Sequence, residues 1–275
     1  TLGKGVLQGT GSLENVVLPS RVKEISEDMF RNSAISCVTI GSSVTVIGKN
    51  AFTGCTGLSE IIFAEGCNIQ TIPESPFENV AAGTITIPKS VKVIESRAFA
   101  NASSSEIIFE DGSVLTTIGD GAFTGSSLVS ITLPSSVTTL GKGVFKEASQ
   151  LTSVSIEGTA ITSIPEETFM TCKKLTSFNV PNTVNDIGYR AFYGCRGLTS
   201  MTYEVGGEGA LTIGDYAFYL CDKLATLALP SRTESIGVSA YYTVKASTAT
   251  FTDSEIGGTD TASKLKRIGN RSEER

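Results

Sequence analysis

Ser127-Leu-Val-Ser-Ile-Thr-Leu-Pro-Ser-Ser-Val-Thr-Thr-Leu-Gly-Lys-Gly-Val-Phe145 is the stretch that determines the fold of this 275-residue chain, because variants of it return along most of the sequence. Its second half recurs as Ile47-Gly-Lys-Asn-Ala-Phe52 and as Ile187-Gly-Tyr-Arg-Ala-Phe192. The last residue of each copy is large and apolar or aromatic: Leu7, Phe30, Phe52, Phe77, Phe99, Phe123, Phe145, Phe169, Phe192, Phe218 and Tyr241. Steps of 22 to 26 residues between these positions indicate a solenoid, in which each repeat forms one coil.

The first half of each repeat resembles a β-strand. In Leu128-Val-Ser-Ile-Thr-Leu133 and in Leu175-Thr-Ser-Phe-Asn-Val180, apolar and polar residues alternate at the end of the phrase, as in a strand with one buried face. One such strand cannot bury its apolar side alone, but stacked coils place successive strands about 4.8 Å apart in a parallel sheet. The sequence therefore predicts a continuous core along the solenoid axis.

Composition excludes several classes of protein. A net charge of −6 and a pI near 4.9 disfavour a nucleic-acid partner, which would need clustered Lys and Arg. No apolar run reaches the roughly 18 residues of a membrane-spanning helix. The chain has no histidine, which excludes Ser-His-Asp and Cys-His catalysis. It also has no Walker-type phosphate loop. We expect no enzymatic activity, no cofactor, no metal site and no direct insertion of this segment into a membrane.

The repeat continues from Leu2 to Ile268 without a change in composition, so we expect residues 1–275 to form a single solenoid of about 11 repeats. Both ends fall within a repeat: Leu2-Gly-Lys-Gly-Val-Leu7 is a second half, and the unit that begins at Leu265 does not reach its aromatic residue. Solenoids normally end in polar caps. We therefore expect the sequence to be a fragment of a longer chain.

Four of the six cysteines share one position, three residues after the repeat aromatic, where other repeats carry Ser or Ala: Cys55, Cys172, Cys195 and Cys221. This position requires a small side chain, so we expect reduced, buried packing residues. A metal or redox role is the alternative, although no C-x-x-C pair supports it. Cys37 on the sheet and Cys67 in a loop are expected to be the more reactive thiols.

The combined pattern L-x-x-I-x-L-P-x-x-V-x-x-I-G-x-x-A-F-x-x-C resembles the BspA-like class of leucine-rich repeats over almost the whole chain. The resemblance implies an α/β repeat solenoid, right-handed, with a parallel β-sheet on the concave face and short helical or 3₁₀ turns on the convex face. Members of this class look like surface proteins that adhere to host proteins, to matrix or to other microbes. The resemblance implies no catalytic residues.

Three outward positions of each predicted strand form columns that run down the stack, and Ser and Thr dominate them. The residues predicted to form a binding face are Ser130, Thr132, Ser153, Ser155, Ser177, Asn179, Ser200, Thr202 and Thr226. One interpretation is a hydroxyl-rich track for an extended peptide or glycan. The other is structural, because β-branched Thr and small Ser suit a tightly spaced parallel sheet.

A second pattern follows the strands, where proline and acidic residues alternate from coil to coil. Acids in every second coil would form an edge with about 10 Å between members. The predicted acidic edge comprises Glu65, Glu110, Asp111, Glu157, Glu204 and Asp253. It is a candidate docking site for a basic partner or for Ca²⁺. Alternatively, Pro and Glu-Gly are two forms of the same turn.

Together these patterns predict a non-catalytic cell-surface or secreted repeat protein that mediates protein–protein interaction or adhesion. Its partner would be a protein or glycan ligand rather than a nucleic acid. The alternative is a structural scaffold subunit of a larger assembly.

Overall fold

The computed structural model describes residues 3–156, 158–252 and 267–268, and these form a parallel β-solenoid. Each coil contributes one long strand of three to five residues. The long strands are β1 (Asn15–Val17), β3 (Cys37–Ile40), β5 (Glu60–Phe63), β7 (Thr84–Ile87), β9 (Glu106–Phe109), β11 (Ser130–Thr132), β13 (Ser153–Ser155), β15 (Ser177–Val180), β17 (Ser200–Tyr203), β19 (Thr226–Pro230) and β21 (Thr248–Thr252).

A shorter strand of two to four residues follows each long one after a turn. The short strands are β2 (Glu24–Ile25), β4 (Val46–Ile47), β6 (Thr71–Ile72), β8 (Val93–Ile94), β10 (Thr117–Ile118), β12 (Thr139–Leu140), β14 (Ser163–Ile164), β16 (Asp186–Ile187), β18 (Leu211–Ile213), β20 (Thr233–Ile236) and β22 (Arg267–Ile268).

Every strand pair is parallel and joins equivalent residues of neighbouring coils. Ser130 of β11 pairs with Ser153 of β13, and Ser177 of β15 pairs with Ser200 of β17. Backbone hydrogen bonds continue across the gap between these pairs, as from Thr176 N to the carbonyl oxygen of Thr152 at 3.2 Å. The predicted parallel sheet is confirmed.

The core lies between the long strands and the turns, and it is continuous along the axis. Ile131 and Leu133 point inward, while Ser130 and Thr132 between and beside them are exposed, which is the alternation the sequence predicts. Behind the sheet, the repeat aromatics stack ring on ring with centroids 4.9 to 5.6 Å apart and interplanar angles of 3° to 21°. The stack runs through Phe30, Phe52, Phe77, Phe99, Phe123, Phe145, Phe169, Phe192, Phe218 and Tyr241.

The side opposite the long strands, here called the turn side, differs from the expectation. No helix occurs among the described residues. The prediction of helical or 3₁₀ turns is therefore wrong, and the fold class is all-β rather than α/β. In the turn around Phe30, Asp28 and Asn32 have φ of 55° and 54°, and left-handed residues at this spacing stop a right-handed helix from propagating. Arg31 N bonds back to Asp28 O at 3.1 Å, but Phe30 N bonds across to Ala51 O of the next coil at 2.8 Å.

Glycines after the short strands allow the coils to approach closely. A Cβ on Gly119 would lie 2.8 Å from the carbonyl carbon of Glu95 and from the backbone nitrogen of Ser96. A Cβ on Gly141 would collide with the backbone of Asp120 in the same way. The Ile-Gly pair of the repeat is thus a packing requirement between coils.

Candidate binding surfaces

The outward face of the long strands, here called the strand face, contains a central column of serines. Ser130, Ser153, Ser177 and Ser200 are all exposed, and the first two and the last two are direct register partners. Their hydroxyls make no hydrogen bond to any other described residue. Thr226, at the same strand position, is also exposed, and its backbone pairs with that of Thr248.

The column beside these serines uses its hydroxyls internally. Thr152 Oγ1 donates to the carbonyl oxygen of Val129 at 2.8 Å, and Thr199 Oγ1 donates to that of Thr176 at 3.0 Å. Ser59 repeats the contact near the start of the chain. The structural interpretation therefore holds for these members of the column, whose hydroxyls tie one coil to the preceding one.

The third column is mixed. Thr132 is exposed and Ser155 is half-buried. Thr202 Oγ1 donates to Asn179 Oδ1 at 2.9 Å, and Asn179 Nδ2 donates to Glu204 Oε1 at 3.3 Å. The structure thus joins this part of the predicted binding face to the predicted acidic edge.

The carboxylates of the acidic edge bind the backbone of the preceding coil. Glu110 Oε2 accepts a hydrogen bond from Lys89 N at 2.9 Å, and Glu204 Oε2 accepts one from Asn182 N at 3.2 Å. Both donors directly follow a proline, which lacks an N–H of its own. The N–H of Glu110 meanwhile bonds the carbonyl oxygen of Ile87 at 3.1 Å. Proline and acidic coils are therefore complementary neighbours.

The other predicted members of the edge stand apart from this arrangement. Ala64 N bonds the carbonyl oxygen of Ile40 at 2.9 Å, so Ala64 takes the position of Glu110, and the exposed Glu65 is offset by one residue. Asp111 is exposed beside Glu110. The predictions for Glu157 and Asp253 lie outside the described residues.

An open cleft of about 450 Å³ lies between residues 106–113 and 130–135. It brings Ser130 and Thr132 of the strand face together with Glu110 and Asp111 of the acidic edge. The cleft is consequently the place where both predicted surfaces meet.

The repeat cysteines are buried, as predicted. Cys172 Sγ donates to Phe145 O at 3.0 Å, and burial raises the pKa of the Cys221 thiol to about 12. Cys37 is partly exposed, with its pKa raised by desolvation and by Glu60. Cys67 is only 8% exposed, and burial raises its pKa, so the prediction of a reactive thiol there is wrong.

A group of aromatic residues on the turn side, here called the tyrosine patch, was not predicted from the sequence: Tyr189, Arg190, Tyr193, Tyr216, Tyr219 and Tyr242. Tyr193 stacks on Tyr219 with centroids 5.1 Å apart, and Tyr219 stacks on Tyr242 at 5.0 Å. A sequence signal was present, because all seven tyrosines of the chain lie between positions 189 and 242.

Neither a metal centre nor a membrane-spanning helix is found in the described part of the chain. Among the residues whose positions are described, no three His, Cys, Asp or Glu side chains come together as a metal site would require. Within the same ranges, no helix has the length and apolarity needed to cross a bilayer.

Repeats of 22 to 26 residues that stack as a parallel β-solenoid define a leucine-rich repeat protein. The chain belongs to the family of the BspA type leucine rich repeat region, whose model matches in six copies over residues 1–106, 92–209 and 207–262. The comparison with curated proteins gave no match.

Solved structures share the fold. A leucine-rich repeat protein from Bacteroides ovatus is 23% identical with a TM-score of 0.76, and the match covers 97% of this chain and 71% of the other. The pneumococcal vaccine antigen PcpA is 22% identical with a TM-score of 0.64, covering 95% and 69%. A leucine-rich repeat protein from Eubacterium ventriosum is 24% identical with a TM-score of 0.62, covering 88% and 67%.

Proposed function

We propose that this chain is a non-catalytic interaction protein of the cell surface or the secreted fraction, and that its strand face binds a protein or glycan ligand. The observation that carries the proposal is the central serine column. Four hydroxyls, from Ser130 to Ser200, are exposed and stand at equivalent positions of successive coils. The protein itself does not use them for hydrogen bonds among its described residues.

The spacing of this column suits an extended ligand that runs along the solenoid axis. Neighbouring strands lie about 4.8 Å apart, and each hydroxyl can both donate and accept. One hydrogen bond contributes only about 1 kcal/mol, so affinity would come from contacts on several coils and from multivalent display. The hydroxyls of Thr152 and Thr199 in the neighbouring column donate to backbone carbonyl oxygens, so these side chains are held in place beside the proposed ligand.

Localisation at the surface is supported by the BspA-type family, whose members look like adhesive surface proteins. PcpA, which has the same fold, is a pneumococcal vaccine antigen, and this motivates a search for the present chain outside the cell. The absence of histidine and the shallow strand face support a non-catalytic role.

A scaffold role is the second candidate. It is favoured by Glu110 and Glu204 of the acidic edge, because their carboxylates accept hydrogen bonds from backbone N–H groups of their own chain and so stabilise the solenoid. A scaffold would use the solenoid as a rigid spacer within a larger assembly.

The two functions are separated by labelling intact and permeabilised source cells with an antibody raised against this chain. We expect labelling of intact cells, and binding of the isolated protein on arrays of matrix proteins and glycans. Labelling only after permeabilisation, together with stoichiometric co-purification of fixed partners, would contradict the proposal and establish the scaffold.

A further inference from the structure

The chemistry of the turn side changes along the solenoid. From the first coil to the eighth, several neighbouring coils are connected by ion pairs: Lys4–Glu27, Lys49–Glu74, Arg97–Glu78, Lys142–Glu166 and Lys146–Glu167. Beyond Glu167 no ion pair occurs among the described residues. The same repeat positions are then taken by the tyrosine patch.

Within the described ranges, Arg190 is a turn-side cation that forms no ion pair with a carboxylate. It occupies the repeat position of Arg97, two residues before the core phenylalanine, and both residues have a left-handed backbone with φ of 53° and 55°. Arg97 pairs with Glu78 of the preceding coil, but the residue equivalent to Glu78 there is Met170. The two acids of that coil turn are already paired, Glu166 with Lys142 at 2.9 Å and Glu167 with Lys146 at 2.8 Å.

Three tyrosine rings surround the guanidinium instead. Its central carbon lies 4.8 Å from the ring centroid of Tyr189, 5.3 Å from that of Tyr193 and 5.8 Å from that of Tyr216. Arg190 Nε is buried and has no hydrogen-bond partner among the described residues. Cation–π contacts hold the group in place without neutralising its charge, so an anionic ligand would complete the site.

Other positive charges lie on the same coils. The loops between the turn side and the long strands carry a series of exposed cations: Lys173, Lys174, Arg196, Lys223 and Lys245. Apart from the paired Glu166 and Glu167, the acids of these coil turns are Asp215, whose Oδ1 accepts a hydrogen bond from Val238 N at 2.7 Å, and the half-buried Asp222 beside Lys223. With Arg190, the cations outnumber these two acids. In a protein of net charge −6, the cations form a local surplus of positive charge, which attracts acidic partners.

The geometry of the rings favours a peptide over a sugar. Sugars bind aromatic residues through exposed ring faces, but the faces of Tyr193 and Tyr219 are covered by stacking at interplanar angles of 2° and 13°. Ring edges and hydroxyls remain available, and Tyr242 at the end of the ladder is 50% exposed. Tyr and Arg, with Trp, are enriched at the energetic centres of protein interfaces.

We propose that the tyrosine patch docks an acidic peptide segment of a protein partner, with Arg190 as its anchor. This surface lies on the opposite side of the coil from the strand face, so it goes beyond the function proposed above. The two proposals can fail independently.

The test is a selection of random displayed dodecapeptides on the whole chain, followed by fluorescence anisotropy with the selected peptides. We expect enrichment of Asp and Glu. Arg190→Gln should weaken binding about tenfold, and Lys223→Gln with Lys245→Gln severalfold, as loss of a hot-spot contact does. Arg97→Gln is the matched control, at the same repeat position but outside the patch, and should change binding less than about twofold.

Circular dichroism and thermal unfolding of each variant separate lost binding from lost folding, and the Lys223/Lys245 pair keeps the test valid if Arg190→Gln is unstable. Selection of neutral or basic peptides, an absence of enrichment, or equal effects of Arg97→Gln and Arg190→Gln would overturn the proposal. Arg190-dependent binding of heparin without selection of acidic peptides would also overturn it, in favour of an anionic polysaccharide.

Discussion

Glu110 and Lys89 are joined by a hydrogen bond of 2.9 Å between a carboxylate oxygen and a backbone N–H of the preceding coil. The sequence predicted Glu110 as part of a docking edge. The bond shows that Glu110 also has a role within the fold. We expect Glu110→Ala to lower the free energy of unfolding by about 0.5–1 kcal/mol, measured by urea unfolding. Asp111→Ala is the control and should have no measurable effect. Equal effects of the two substitutions would contradict the structural role.

The glycine that follows each short strand should be intolerant of a side chain. Because a Cβ on Gly119 would lie 2.8 Å from backbone atoms of the preceding coil, Gly119→Ala should lower the free energy of unfolding by about 1–3 kcal/mol. A Cβ on Gly83 would meet no atom within 4 Å, and Gly83→Ala should change stability by less than about 0.5 kcal/mol. A neutral Gly119→Ala would show that the coils are not in close contact there.

The phenylalanine stack should dominate stability. Phe123 is fully buried between Phe99 and Phe145, with ring centroids 5.5 Å away on both sides. Phe123→Ala should cost about 3–5 kcal/mol in denaturant unfolding. Val129→Ala, at an exposed strand position, should cost less than about 0.5 kcal/mol. A loss below about 1 kcal/mol for Phe123→Ala would contradict a continuous core.

Buried thiols should make stability fall at alkaline pH. Burial raises the pKa of Cys221 from 9.0 to about 12. Between these values the unfolded chain releases the proton while the folded chain keeps it, so stability is complete below about pH 9 and declines as pH rises, by at most about 1.4 kcal/mol per pH unit for one thiol.

Cys221→Ala should therefore flatten the decline measured by urea unfolding from pH 8 upward. Ala148 occupies the same repeat position in another coil, so the substitution is compatible with the packing. Cys221→Ser provides a second variant without a thiol. Identical pH dependence in the wild type and both variants would exclude this thiol as a cause.

The strands and the core could be predicted from sequence because they depend on local periodicity. The alternation of apolar and polar residues predicted that Ile131 and Leu133 point inward. The repeat predicted one core aromatic residue in each coil, such as Phe123. The turn side could not be predicted in the same way. Its backbone hydrogen bonds alternate between the same coil and the next one, and the left-handed conformations of Asp28 and Asn32 replace the expected helical turn.

The roles of polar residues depend on which residues of adjacent coils meet. The bond between Glu110 and Lys89 forms only when the two coils are aligned in one particular register. The repeat pattern predicts that register only to within one residue, because Glu65 is offset by one position from Glu110. The tyrosine patch uses ordinary repeat positions, since Tyr193 and Tyr219 each directly follow a core phenylalanine. The clustering of tyrosines was visible in the sequence, but their contacts with Arg190 depend on how adjacent coils meet.

The most direct test of the account is to block the central serine column. Ser153→Tyr and Ser177→Tyr together place two large side chains on exposed strand positions that favour aromatic residues. Ser96→Tyr is the matched control, because it adds the same side chain on the turn side at the repeat position of Tyr189. All three proteins are compared on the arrays of matrix proteins and glycans that the wild type binds.

We expect the double variant to fold like the wild type and to lose at least about tenfold in affinity, since two contacts of about 0.7 kcal/mol each already amount to that factor. The Ser96→Tyr control should bind as the wild type does. Unchanged binding by the folded double variant would show that the strand face is not the contact surface.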